Sequence, residues 1–196
     1  MKKFLVVLLV MILLAATASA ETQPVRIARL PIIFRSTIPD LETRAELETK
    51  LERAVHIPLN GTLQLAEYLS SKDSAQVFNE LWQKMTAENK KAKLGDAMRP
   101  LAEALDADLI ICPVLKEYNQ YVSFSAGWGE TVLNSNVRAE LIVYDRRTDE
   151  LIDKNASQFY RDAYRLRGTA SFLSKICFDG VIEESRLRQI ITAIRK

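Results

Sequence analysis

The chain has 196 residues, of which 48% are hydrophobic, 27% charged and 8% aromatic. That mixture excludes wholesale disorder and a collagen-like architecture, and the length suits one domain with a sizeable core. The 27 basic and 25 acidic side chains nearly cancel, so the chain lacks the basic excess of a nucleic-acid binder.

Residues 1–20, MKKFLVVLLVMILLAATASA, follow the grammar of a secretory signal peptide. Lys2 and Lys3 precede an unbroken apolar run from Phe4 to Leu14, and Ala18-Ser19-Ala20 is a small-x-small cleavage site. The run falls short of the roughly 20 apolar residues that span a bilayer. Cleavage after Ala20 removes Lys2 and Lys3 and no acid, so that basic and acidic side chains then balance. Residues 21–196 read as a single α/β domain. No cysteine lies near the site to accept a lipid and no later segment reaches spanning length, so no stable membrane insertion is expected after cleavage. The leader looks bacterial, which points to the periplasm or the extracellular space. The sequons at Asn60 and Asn155 matter only in a eukaryotic secretory pathway.

Residues 25–34 are dense in β-branched and apolar residues and read as a strand. Asp40 is placed as the N-cap of a helix to about Ala54, with Leu47, Leu51, Ala54 and Val55 as its apolar stripe. Residues 62–69 read either as a strand after the Asn60-Gly61 turn or as a short helix. Val77, Phe78, Leu81, Trp82 and Met85 define a helix over 74–88. A second stripe from Leu94 to Leu105 contains Pro100, so that helix starts near Ala97 or kinks. Leu109 to Leu115 is an apolar run that reads as a buried strand, continuing to about Ser125. Strands over 131–144 and 151–159, joined by a turn at 145–150, complete an antiparallel meander. The segment 169–194 is helical, with either a split into two helices or a kink expected at Asp179-Gly180. Together these predict an α/β fold: a mixed, largely antiparallel sheet of four or five strands packed against helices, in two or three layers.

Reactive chemistry is sparse. Nucleophile-elbow, phosphate-loop, zinc-protease and dinucleotide motifs are all missing. The sole histidine, His56, reads as a loop or helix-end residue. Asp106 with Asp108, and Asp149 with Glu150, sit at element ends where acids serve as caps and turn formers. Two cysteines and one histidine make no zinc site. No catalytic residue, cofactor or metal is expected. Cys112 and Cys177, far apart in the sequence, read as buried free thiols in preference to a disulfide. Tyr121, Phe124 and Trp128, the last flanked by Gly127 and Gly129, form the leading candidate contact patch. Tyr160, Tyr164, Arg161, Arg165 and Arg167 form a weaker one.

The order of elements, with the phrases LAEALDADLIICPVL at 101–115 and LIVYDRRTDELI at 141–152, resembles bacterial envelope α/β domains. These include the TolB amino-terminal domain, the curli-secretion lipoprotein and the penicillin-binding-protein activator lipoproteins. The resemblance implies a non-enzymatic envelope role through protein contact or assembly. It supplies no functional residues, and this chain lacks a lipidated cysteine and a propeller.

The expected function is therefore an exported accessory or adaptor protein of the bacterial envelope with a protein partner and no nucleic acid, self-association being compatible with that role. A periplasmic small-ligand binder, with a pocket near Tyr118, Tyr121 and Trp128, is the second reading, and a hydrolase ranks third. Intact mass of the exported protein tests the leader: the expected species begins at Glu21.

Overall fold

The computed structural model describes residues 24–57, 65–125 and 130–193. The segment expected to be a signal peptide, Asn60-Gly61 and Trp128 lie outside the described residues. The architecture is α/β. β1 (Val25–Arg29) and β2 (Ile33–Phe34) precede α1 (Leu41–Val55), β3 (Ala66–Tyr68) and α2 (Ser71–Glu88). A short 3-10 turn (Leu94–Ala97) leads into α3 (Met98–Leu105). Three long strands follow, β4 (Leu109–Ser125), β5 (Glu130–Asp145) and β6 (Glu150–Ala163). A second 3-10 turn (Leu166–Gly168), α4 (Ala170–Glu184) and α5 (Leu187–Thr192) close the chain.

The sheet order is β3-β1-β4-β5-β6, with β2 also on β4. Contacts of β1 with β3 and β4, and of β2 with β4, are parallel and short. Those of β4 with β5 and β5 with β6 are antiparallel and long. One face carries α1, α4 and α5 over Leu109, Ile111 and Leu115 of β4 and Val137, Ala139 and Leu141 of β5. The opposite face carries α2 and α3 over Ala28, Ile110, Cys112, Val114 and Ile142. The domain is thus three layers deep where both helix groups lie.

Local chemistry explains the boundaries. Pro31 interrupts the 25–34 run, so it forms two strands rather than one. Asp40 accepts from the Thr43 backbone N–H at 2.8 Å, and that bond holds its carboxyl below the ordinary range. α2 begins earlier than its apolar stripe because Ser70 caps it. Pro100 is the third residue of α3, where its missing N–H has no helical partner to lose. The ambiguous 62–69 stretch contains β3. The carboxy-terminal helix is unbroken at Asp179-Gly180 and instead ends at Ser185-Arg186, with Arg186 left-handed at φ 53°. Gly180 stays helical where the helix lies against Ala156 of β6; a Cβ there would sit 3.4 Å from the Ala156 Cβ.

Acids from both pairs lock one end of the sheet, where β1 and β4 begin and the β5–β6 turn lies. Asp108 Oδ2 accepts from the Arg26 N–H at 3.0 Å, while its own N–H donates to the Arg26 carbonyl at 2.8 Å. Asp106, the left-handed C-cap of α3, pairs with Arg26 at 2.7 Å and Arg146 at 3.0 Å. Asp149, left-handed in the β5–β6 turn at φ 56°, accepts from Tyr144 Oη at 2.8 Å and pairs with Arg99 of α3. The Tyr144 hydroxyl, then Arg99, holds its carboxyl below the ordinary value of 3.8. A group with a lowered folded pKa contributes stability that is full above its unfolded value and lost as pH falls through the folded one. Asp149→Asn keeps the left-handed turn and loses the charge. Its urea midpoint at pH 7 is expected below that of the wild type, and the gap should close as the pH falls below 3.8.

Candidate interaction surface

Side chains alternate across a strand, so the register fixes which residues share a face. On the α2–α3 face, β5 presents Tyr144 and Ile142 and then Glu140, Arg138, Asn136 and Asn134. The change from apolar to polar marks where helix cover ends: among the described residues the core on this face reaches Val114 and Ile142 and stops. Beyond it the far halves of β4, β5 and β6 form an uncovered sheet face.

Its floor is a hydrogen-bonded polar ladder. A β-bulge between Leu115 and Glu117 allows Lys116 Nζ to reach Glu140 Oε1 at 2.5 Å and Asn155 Oδ1 at 3.0 Å. Asn136 Nδ2 donates to Glu117 Oε2 at 2.6 Å, and Arg138 pairs with Glu117 at 3.3 Å. Asn134 Nδ2 donates to Ser123 Oγ at 2.8 Å. Asn134 is only 5% exposed, and among the described residues it lies outside the core that α2 and α3 form on this face. Across the strands Asn134 lies between Tyr121 and Arg161, and Asn136 between Asn119 and Phe159. Tyr121 and Phe159 flank this floor, 63% and 68% exposed.

The predicted contact patch is thereby divided. Tyr121 is on the uncovered face. Phe124, three residues on and 69% exposed, is on the opposite face, because an odd separation along a strand reverses the side. The pocket expected near Tyr118 and Tyr121 fails for the same reason: Tyr118 packs half-buried on the α1–α4 core and Tyr121 points away from it. The second patch divides likewise. Tyr160 packs over Gly168 on the covered face, while Arg161 is opposite. Phe159 was missed by sequence reading. The signal that finds it is the polar alternation Asn134, Asn136, Arg138, Glu140 on the neighbouring strand, which marks the uncovered side.

The remaining candidates have structural places. Cys112 and Cys177 are free and buried on opposite faces of the sheet. Burial pushes their thiols up to about 12 and about 11. His56 is the C-cap of α1 and stacks on Tyr68, ring centroids 5.7 Å apart. Tyr68 Oη accepts from the Ile57 N–H at 2.8 Å. His56 also lines a cavity of about 520 Å³ whose wall combines Ala54, Val55, Ile57 and Ile191 with Glu52, Arg53, Arg188 and Thr192. Among the described residues no group of three or more His, Cys, Asp or Glu side chains converges to hold a metal, and no helix is long and apolar enough to cross a membrane.

No protein-family model matches the chain, and no curated protein matches it. Its structure is similar to that of the hypothetical protein CT253 from Chlamydia trachomatis (TM-score 0.46, 11% identity, 86% of this chain and 99% of that one). It is also similar to lipoprotein GNA1162 from Neisseria meningitidis (TM-score 0.40, 16% identity, 82% and 99%) and to the LpoB carboxy-terminal domain from Salmonella enterica (TM-score 0.32, 10% identity, 76% and 89%).

The ladder makes a direct energetic prediction. Glu140 is buried, its side chain 8% exposed, and Lys116 is its only ionic partner among the described residues. Lys116→Met is expected to cost about 1.5–3 kcal/mol in urea unfolding. Replacing Glu140 as well, in Lys116→Met/Glu140→Met, should recover most of the loss because the unpaired charge is gone.

Proposed function

We propose that the chain is exported by a cleaved leader and acts as a non-enzymatic accessory or adaptor protein of the bacterial envelope, binding a protein partner through the uncovered face of β4–β6. The observation that carries this reading is the pairing of two strongly exposed aromatics, Tyr121 and Phe159, with a floor whose polar groups already bond one another. Such a floor is poor at catalysis, which needs convergent groups left free for a substrate in a cleft. It suits docking, where aromatic anchors supply the energy and satisfied polar neighbours exclude water. The resemblance in element order to envelope domains that work by contact or assembly implies the same kind of role.

A small-ligand role is a second reading, supported by the cavity that His56 lines. A ligand seated there would raise the melting temperature in proportion to the logarithm of its concentration, and the effect would be lost in Ile191→Trp, which fills the cavity.

The adaptor reading is tested by photo-crosslinking from position 159 in the native host, with Glu103, exposed on α3, as the control position. A discrete adduct to a protein whose mass differs from that of a second copy of this chain is expected at 159 and absent at 103. Tyr121→Ser should abolish it while leaving the unfolding midpoint unchanged. An adduct equal at both positions, or indifferent to Tyr121→Ser, would sink the proposal.

A further inference from the structure

β6 is a long sheet edge. It spans 14 residues and pairs only with β5. Among the described residues its other side has no neighbouring strand. Side chains close its backbone at the far end, where the Ala163 N–H donates to Asp162 Oδ1 at 2.7 Å and the Ala163 carbonyl accepts from Tyr160 Oη at 2.8 Å. An open row of backbone donors and acceptors is a template for another strand.

The charges on β6 say which strand fits. On the face that α2 and α3 share, Asp153 lies near one end, level with Ile142 and accepting from Asn155 Nδ2 at 3.1 Å, and Arg161 lies near the other, beyond the helix cover. On the covered face the order is reversed, Lys154 and then Asp162. An edge guarded against its own kind sets like charge opposite like charge in a second copy. β6 does the opposite. Laid antiparallel on itself about a twofold axis at Ser157 or Gln158, it brings Asp153 to Arg161 of the other copy on one face, and Lys154 to Asp162 on the other. In either register one of these pairs is directly opposite and the other diagonal, within reach of long side chains. Each pair occurs twice by symmetry, and no like charges fall directly opposite one another.

The helix layer agrees. Phe172, Ile176 and Gly180 lie four residues apart on one stripe of α4, and the contact of Gly180 with Ala156 marks that stripe as the one beside β6. Ile176 is exposed, 39%, and Phe172 is half-buried. Strands pair at about 4.8 Å, and α4 rides over β5 and β6. Two copies joined edge to edge therefore bring their α4 helices about 10 Å apart, an ordinary helix-packing distance. That contact covers Ile176.

We infer that the edge of β6 is a homodimer interface, in which β6 pairs antiparallel with β6 of a second copy about Ser157–Gln158 to give one continuous sheet flanked by two packed α4 helices. The strand edge carries this interface, but its Asp153–Arg161 pairs share a face with Phe159, so an adduct from position 159 counts for the adaptor reading only where its mass shows a protein other than a second copy of this chain.

The test uses the protein made with its own leader and purified from the exported fraction. Sedimentation at micromolar concentration is expected to give twice the chain mass. Asp153→Arg turns an attraction into a repulsion and should weaken the dimer by roughly tenfold or more. Asp153→Arg/Arg161→Asp exchanges the charges and should restore it to within about threefold. A cysteine at the axis meets its own copy at disulfide distance, so Ser157→Cys or Gln158→Cys is expected to crosslink under air. Asn155→Cys lies off the axis, beyond disulfide reach of its counterpart along the antiparallel strand, and is not. The wild type, with both thiols buried, is the blank. A monomeric wild type, failure of the charge exchange to restore association, or crosslinking at Asn155→Cys equal to that at the axis would each overturn the proposal.

Discussion

β4 and β5 pair from Leu109 opposite Asp145 to Ser125 opposite Glu130, and the other elements attach to this ladder. β1 takes its place against the first residues of β4. β6 lies along β5, and α4 seats across β5 and β6. The ladder contains a single register shift, between Leu115 and Glu117. Because a one-residue slip turns every side chain over, that bulge decides the faces of everything beyond it. It sends Tyr118 toward the α1–α4 core and Tyr121 to the open side. It also leaves Lys116 free to bond Glu140.

The same ladder lives in two environments. In its first half both faces are covered, and β4 accordingly reads as an uninterrupted apolar run, Leu109 to Leu115, with its side chains excluded from solvent. In its second half one face is open, and the side chains there become amides, hydroxyls and charges that bond one another. Burial of apolar surface is the larger source of stability per residue, so the first half is the foundation. The second half keeps its other face on α4 and presents aromatic residues on a bonded floor.

Much of this was legible in the sequence. Apolar periodicity located the helices, the cap Asp40 stands where a small polar residue precedes an apolar stripe, and the meander follows from an apolar run, an alternating run and a strand returning after the 145–150 turn. The roles of Asp106, Asp108 and Asp149 as turn and end residues were equally readable. What escaped was whatever depends on counting along a strand across a bulge. Tyr121 and Phe124 look like neighbours in a line of text and stand on opposite sides of the sheet. The split expected at Asp179-Gly180 failed because tertiary packing against Ala156 outweighs the weak local preference of glycine for a break. Phe159 was passed over because its surroundings are set by β5, not by its own neighbours in the chain.

The position of β1 has a consequence for how the molecule assembles. The first strand to be made lies between β3 and β4, and its partner on one side begins only at Leu109, in the second half of the chain. Its two polar clamps, Asp106 and Asp108, come just as late. The β4–β6 meander, by contrast, closes through nearest neighbours, and contacts of short sequence separation form fastest. The amino-terminal strand can therefore pair on one side only, with β3, until the far half of the chain has been delivered. During that interval it is the part of the protein most exposed to mispairing, and the part for which a holding chaperone would matter most.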